Sequence, residues 1–427
     1  MASAITVGER IVLHLVQYQK LIDNYDVPID ISQDGIAASL RISRAHAAIE
    51  LKKLRASGEV VEKLAHIKRG KTKRKVYFLS PTGEQKAARI RQYATSEGID
   101  IGPLIDIRRC KAHELWQSLG SDSKAILAGA CVFRKPFRRE ALPSTTTSLL
   151  PVDRFGMVDI PAELRRSILK LVPSEEIRAH HSRAADYWLN ENDYGERLYH
   201  LVHAGRVKEA EILIANKDAL VLCSMDRGLL EAMLMIHLPS EQYRGKVRRA
   251  QAEASLLMDD LDNCFKVCSE MEASTDASER MIGFLIRGKG LRKKEKLQDS
   301  LDALLKAKAI GLKMESATLE CEIAHTLMLM GLNAESISVL VKLAKQERSS
   351  DPELIERIYY LLGRNYLQIK NGNEALHYLS KSLAITKEKD RKPWYQGMAE
   401  AYGLIGNPEK LREYDMKANP PKGWGEA

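Results

Sequence analysis

No stretch of this chain approaches the roughly 18 consecutive apolar residues that a membrane span needs. The opening residues, Met1 to Arg10, lack the basic start and the long apolar segment of a secretory signal. A membrane partner is not expected, and a cytoplasmic location is. Cysteine is sparse: Cys110, Cys131, Cys223, Cys264, Cys268 and Cys321 are scattered through 427 residues with no CxxC pair. That spacing excludes a disulfide scaffold and a cysteine-based zinc module. Cys264 and Cys268 stand one helical turn apart on an apolar stripe, where small thiols pack as core. Catalytic equipment is absent too. There is no nucleophile beside its base, no metal set and no phosphate loop, so neither an enzyme nor a bound cofactor is expected.

Two near-matches to chemistry fail on inspection. Gly70-Lys71-Thr72 ends like a phosphate-binding loop, but the pattern needs a glycine five residues earlier, where Ala65 stands, and no helix opens behind it. Glu196, His200 and His203 share one helical face, with His180-His181 upstream. Their spacing is not that of HExxH, and nothing completes a tetrahedron, so a packing or surface role is expected rather than a metal.

What is present is charge, unevenly placed. Between Arg41 and Arg91 fifteen bases face four acids, an excess larger than the net charge of +9 carried by the whole chain. A basic excess confined to one short segment is the footprint of a phosphate-backbone binder.

The same segment carries a readable order of elements. Residues from Val7 to about Ile22 have the apolar spacing of a scaffold helix, and Asn24 to Pro28 read as a turn. Ser32 is placed to cap a helix from Gln33 to Leu40, and Ser43 a second from Arg44 to Ala56, which Gly58 stops. Val60–Ile67 and Val76–Leu79 read as strands around the basic tip Lys68 to Lys75. Helix, helix, helix and basic hairpin is the order of a winged helix-turn-helix. On the helix from Arg44, a buried stripe of Ala47, Leu51 and Leu54 leaves Arg44, His46, Lys52 and Lys53 on the opposite face. Arg44 and His46 are the candidates for reading base edges. Gln33, Ser43, Lys52 and Lys53, with Lys68, Arg69, Lys71, Lys73 and Arg74 of the hairpin, are the candidates for contacts to the DNA backbone.

The connector from Asp100 to Cys110 leads to a helical pattern starting at Lys111. Ser121 is placed to cap a helix through Val132, followed by the bases Arg134, Lys135, Arg138 and Arg139, a hairpin from Leu149 to Ile160, and a helix beginning at Pro161. This is a second, degenerate winged-helix-like segment, expected to serve as a spacer.

Farther on, helical hairpins repeat. Tyr359, Leu362, Gly363 and Tyr366 on one helix, and Ala375 and Leu379 on the next, match the tetratricopeptide spacing of large, small and aromatic residues. The same frame places small residues at Ala252, Gly288, Ala324, Gly363 and Ala399. Their partners on the second helices are Cys264, Ser300, Ser336, Ala375 and Leu411. An earlier hairpin from Leu198 to Leu213 through Gly205 fits after a longer interval. Stacked hairpins of this kind form a groove suited to a protein or peptide partner.

Residues Ser32 to Ala37, Ser43 to His46 and Arg74 to Gly83 look like the winged helix of archaeal multidomain regulators. Val132 to Pro136 and Glu196 to Gly205 resemble the winged-helix and tetratricopeptide parts of signal-transducing ATPases with numerous domains (STAND). In that family an ATPase module sits between the two. The connector near Cys110 leaves no room for one, so ATP-driven switching is not carried over.

The expected organisation is mainly α. A winged helix-turn-helix spans 1–95, a linker 96–110, the degenerate winged-helix-like spacer 111–175, and a tetratricopeptide-like α-solenoid 176–427. The expected function is transcriptional regulation through double-stranded DNA, with the repeats binding a partner or mediating a homodimer. The alternative is a non-enzymatic interaction scaffold whose winged helix docks on protein or RNA.

Overall fold

The computed structural model describes residues 5–40, 42–67, 73–97, 99, 101, 112–142, 150, 152–153, 155–311, 316–346, 351–387 and 391–420. The chain is mainly helical with small sheets, and it packs as two units, Met1–Ala210 and Glu211–Ala427.

The first unit opens with α1 (Val7–Leu15), started by a capping box in which the Thr6 hydroxyl accepts from the Glu9 amide and the Glu9 carboxylate accepts from that of Thr6. The helix does not continue to Ile22 as its apolar spacing suggests. It tightens into a 3₁₀ turn over Val16–Leu21. The reason lies far away in sequence: the Gln19 amide group bonds both the N–H and the C=O of Leu79, at 3.2 and 2.8 Å. The expected turn at Asn24 to Pro28 contains a short strand, β1 (Asp26–Val27), paired parallel to the hairpin.

Helices α2 (Gln33–Leu40) and α3 (Arg44–Ala56) have the bounds their caps imply. The Ser32 hydroxyl accepts from the Gly35 amide and the Ser43 hydroxyl from that of His46. Gly58, at φ +72°, ends α3. Strands β2 (Val60–Ile67) and β3 (Lys73–Leu79) pair antiparallel, with Glu62 opposite Tyr77 and Leu64 opposite Lys75. Thus β3 starts three residues earlier than its apolar run suggests, and Lys73, Arg74 and Lys75 belong to the strand rather than to the tip. The exposed face of this sheet tolerates long cations, and Lys75 closes a cross-strand ion pair with Glu62 at 2.8 Å.

Helix α4 (Pro81–Ser96) follows, an element beyond the expected three helices and hairpin. Its signals are local: Ser80 as cap, Pro81 in the first turn, and Ala87, Ile90 and Ala94 on the buried face. At Gly83 an added Cβ would lie 2.1 Å from the Glu59 carbonyl oxygen, so α4 docks on the α3–β2 turn through a contact only glycine allows. Helix α1 touches α2, α3, α4 and β3 and is the hub of this half.

The rest of the first unit comprises α5 (Ala112–Ser118), α6 (Ser121–Cys131), β4 (Phe137–Arg138), β5 (Met157–Val158), α7 (Ala162–Leu169), α8 (Ser174–Asn190) and α9 (Tyr194–His203). Ser121 is the first residue of α6 and not its cap; Gly120 holds that position with no side-chain bond. Of the expected hairpin from Leu149 to Ile160, Leu149 lies outside the described residues; an antiparallel bridge joins Val152 to Val158, and β5 also pairs with the upstream β4. One buried cluster runs from Ile11 through Phe78, Leu127, Phe137 and Ile168 to Trp188 on α8.

Helix α10 (Val207–Cys223), broken at Lys217, and α11 (Arg227–Leu234) precede five helical hairpins. These are α12 (Arg244–Leu257) with α13 (Leu261–Glu272), α14 (Ala277–Lys293) with α15 (Leu297–Ala309), α16 (Ser316–Leu329) with α17 (Asn333–Gln346), α18 (Pro352–Gln368) with α19 (Gly372–Leu383), and α20 (Lys392–Leu404) with α21 (Pro408–Ala418). The repeat frame is visible in the backbone. Each hairpin turns through one residue in the left-handed region, at Asp259, Glu295, Gly331, Lys370 and Gly406, in steps of 36, 36, 39 and 36 residues. Each lies seven residues beyond the small residue expected at the helix crossing.

Those small residues do what the frame requires. A Cβ on Gly288 would meet Leu304 at 2.6 Å, and one on Gly363 would meet Leu379 at the same distance. Ser300 and Ser336 donate across their crossings to the carbonyls of Gly288 and Ala324, at 2.8 and 2.7 Å. Cys264 and Cys268 are buried in the core. Leu411 departs from the frame: it is a large residue where the other repeats have small ones, and it is exposed. The last two hairpins share one more constellation. Tyr378 stacks on Tyr366 beneath Lys381, and 36 residues later Tyr414 stacks on Tyr402 beneath Lys417.

Candidate functional site

Three clusters of ionisable side chains stand out, two in the first unit and one in the second. The first lies where α2, α3 and β3 meet. Ala47, Leu51 and Leu54 are buried, which fixes the phase of α3 and turns Arg44, Ala45, His46, Ile49, Lys52 and Lys53 outward. The start of α3 is tied to α2 twice. The Gln33 side-chain amide donates to the Arg44 carbonyl at 3.3 Å, and the Asp34 carboxylate holds the Arg44 Nε at 2.8 Å. The other Asp34 oxygen lies 3.5 Å from Arg74 Nη1 on β3. One carboxylate therefore gathers two of the expected DNA-contacting arginines, and sequence reasoning missed it because Asp34 looked like an ordinary first-turn acid.

The remaining expected residues separate. Lys53 is paired with Glu50 at 2.7 Å, whereas Lys52 and Lys73 are exposed with no ion pair among the described residues. His46 is exposed, and Ser43 serves as the cap of α3. Lys68, Arg69 and Lys71 lie outside the described residues. Glu62 binds Arg55 and Lys75, and the hydrogen bond from Lys75 lowers the pKa of its carboxyl. Tyr25, stacked on His66 with ring centroids 4.8 Å apart, adds an exposed aromatic edge beside β2.

The second cluster joins the α8–α9 hairpin to the segment after α6. Arg134 lies 4.0 Å over the ring of Tyr199 and bonds the fully buried Glu196 at 2.6 Å, while Lys135 binds Asp193 at 2.7 Å. Two members of the basic cluster thus serve internal packing. His181 and His200 face each other Nδ1 to Nδ1 at 2.8 Å, an arrangement that requires one of the rings to be bare at that atom. Burial, then the charges of His203 and His180, lowers the His181 pKa to about 3. Burial lowers His200 and His203 as well. Among the described residues no group of three potential ligands is arranged to hold a metal, and the Glu196 carboxylate is already engaged by Arg134.

The third cluster lies on α14, α16 and α18, the first helices of successive hairpins, each of which touches the next. Glu322 is fully buried and receives Arg292 at 2.5 Å, Arg357 at 2.7 Å and Lys289 at 3.4 Å. Burial alone would raise its pKa. The three cations outweigh burial and hold the carboxyl down at about 2. His325, one turn away, is pushed down to about 4 by burial and then by Arg292 and Arg357.

No protein-family profile and no curated protein matches the sequence. Among solved structures, a STAND protein with a tetratricopeptide repeat sensor from Pyrococcus horikoshii is similar at 15% identity and a TM-score of 0.48. The similarity covers 79% of this chain and 57% of that one, so this chain spans little more than half its length. MamA AMB-1 is similar at 14% identity and a TM-score of 0.31, over 41% of this chain and 97% of that one. A chain of the APC/C hetero-tetramer Cut9–Hcn1 is similar at 11% identity and a TM-score of 0.38, over 80% of this chain and 73% of that one. These likenesses are distant. The helical-repeat architecture rests on this chain's own turns and crossings.

Proposed function

We propose that residues 5–97 form a winged helix-turn-helix that binds duplex DNA, with α3 in the major groove and the β2–β3 hairpin as a wing on the phosphate backbone. The observation that carries this reading is the exposed face of α3. Its apolar stripe is buried, and Arg44, His46 and Lys52 stand outward, with Arg74 of the hairpin joined to Arg44 through Asp34. A helix N-terminus with Arg and His on its open face, flanked by lysines, is equipped to reach base edges while neighbouring cations neutralise phosphates. Transcriptional regulation is the role this assigns to the chain.

We assign the repeats to binding a protein or peptide, because stacked hairpins present a continuous surface from helix to helix. That architecture also favours a second reading, in which the whole chain is an interaction scaffold and the first unit docks on protein or RNA. Competition decides between them. The full chain is offered a duplex selected from a random library, unselected duplex, and double-stranded RNA of matched length. The proposal expects the selected duplex to win by at least tenfold over unselected duplex. Equal binding to all three, or preference for RNA, would support the scaffold reading.

A further inference from the structure

We infer that Asp34 is a positioning residue that presents Arg44 to the edge of a guanine; this rests on the DNA-binding reading above. Asp34 pairs with Arg44 on its Nε side at 2.8 Å, and no other carboxylate among the described residues pairs with the Nη1 and Nη2 groups of this side chain, which is 73% exposed. Those two groups form the end-on fork that matches the paired acceptors O6 and N7 of guanine, which no other base presents in the major groove.

A free arginine at this position would have many rotamers and would settle on the nearest phosphate. Paired with Asp34, on a backbone whose carbonyl is bonded by Gln33, it has fewer directions open to it before DNA arrives. The second Asp34 oxygen makes a looser ion pair with Arg74 Nη1 on β3, at 3.5 Å. An acid on a DNA-facing surface repels phosphate, so its presence between two arginines weakens general affinity. What it supplies in exchange is selectivity.

The two effects have opposite signs and can be measured separately. A duplex selected by the full wild-type chain and the unselected random duplex are each titrated with wild type, Asp34→Asn and Asp34→Glu. Asp34→Asn should bind random duplex more tightly, since a negative charge is gone and two arginines are released. Its preference for the selected duplex should fall roughly 5- to 100-fold, the range of one bidentate base contact. The slope of log affinity against log salt on random duplex should steepen by up to about 0.9 for each arginine that turns to phosphate. Repeating the selection with Asp34→Asn should relax one guanine position, and Asp34→Glu should retain part of the preference. An equal gain on both duplexes would make Asp34 a charge and nothing more, and would overturn the inference while leaving DNA binding intact. A wild-type chain that selects no duplex would remove the inference and the reading beneath it together.

Discussion

Two carboxylates in this molecule do the same thing in opposite surroundings. Asp34 gathers Arg44 and Arg74 on an open surface; Glu322 gathers Lys289, Arg292 and Arg357 in a dry one. Exposed ion pairs add little to stability, because water and salt screen them and ordering long side chains opposes them. Buried ones are different. Taking one partner away leaves charges stranded without water, and the loss is large even where the intact cluster is no better than an apolar replacement. Asp34 is thus free to serve orientation, and Glu322 is bound to serve the packing of three helices.

The largest expected effect follows from that contrast. Glu322→Ala should destabilise the repeats by about 3 to 5 kcal/mol, measured by urea unfolding followed by helical circular dichroism. Asp34→Ala should leave the same curve unmoved. Equal losses from both would break the comparison.

Acid should separate the clusters next. His181 and its neighbours are held neutral in the fold, with a folded pKa of about 3 for His181 against about 6.5 unfolded. The unfolded chain therefore binds more protons in that window, and the stability present above pH 6.5 drains as the pH falls toward 3. Glu322 acts lower, between its unfolded value near 4.5 and about 2, and its stabilisation is lost only there. Replacing His181 and His200 together with Phe and Leu should flatten the pH dependence of melting between 6.5 and 5. A profile identical to wild type would place the acid sensitivity elsewhere.

These features were unequally legible in the sequence. The caps Ser32 and Ser43, the stripe of Ala47, Leu51 and Leu54, and the stop at Gly58 are signals within a few residues, and the structure places each where the pattern does. The repeat frame was legible for another reason: one packing problem, the approach of two helices, is solved five times with a small residue. What escaped depends on residues far apart in the chain. Gln19 ends α1 by bonding Leu79, sixty positions away, and neither residue announces it. Asp34 and Glu322 read as ordinary acids until the fold sets cations around them. Helix α4 is different, since its start is marked locally, by Ser80 as cap and Pro81 in the first turn.

Smaller effects sharpen the contrast between the local and the repeated. Gly83→Ala should destabilise the first unit by about 1 to 3 kcal/mol, because its Cβ would strike backbone that cannot step aside. Differential scanning calorimetry would show the loss, and a neutral result would mean that α4 can shift without harm. Lys370 occupies the left-handed turn position that Gly331 and Gly406 fill in neighbouring repeats. Lys370→Gly should therefore raise stability slightly, by up to about 1 kcal/mol, as left-handed strain is relieved and some chain entropy is given back. A fall in the melting temperature would show that the turn is held by its side chain and not strained.

The reading as a whole turns on whether the open face of α3 and the hairpin meet phosphate and bases. The most direct measurement is the affinity of the full chain for its selected duplex as salt is raised, for wild type and for Arg44→Ala, Lys52→Ala and Lys73→Ala combined. The account predicts a linear fall of log affinity with log salt in the wild type. In the variant the slope should be shallower by up to about 0.9 for each phosphate contact removed, with unchanged thermal stability. Wild-type binding that ignores salt, or a triple variant that follows the wild-type line, would contradict it.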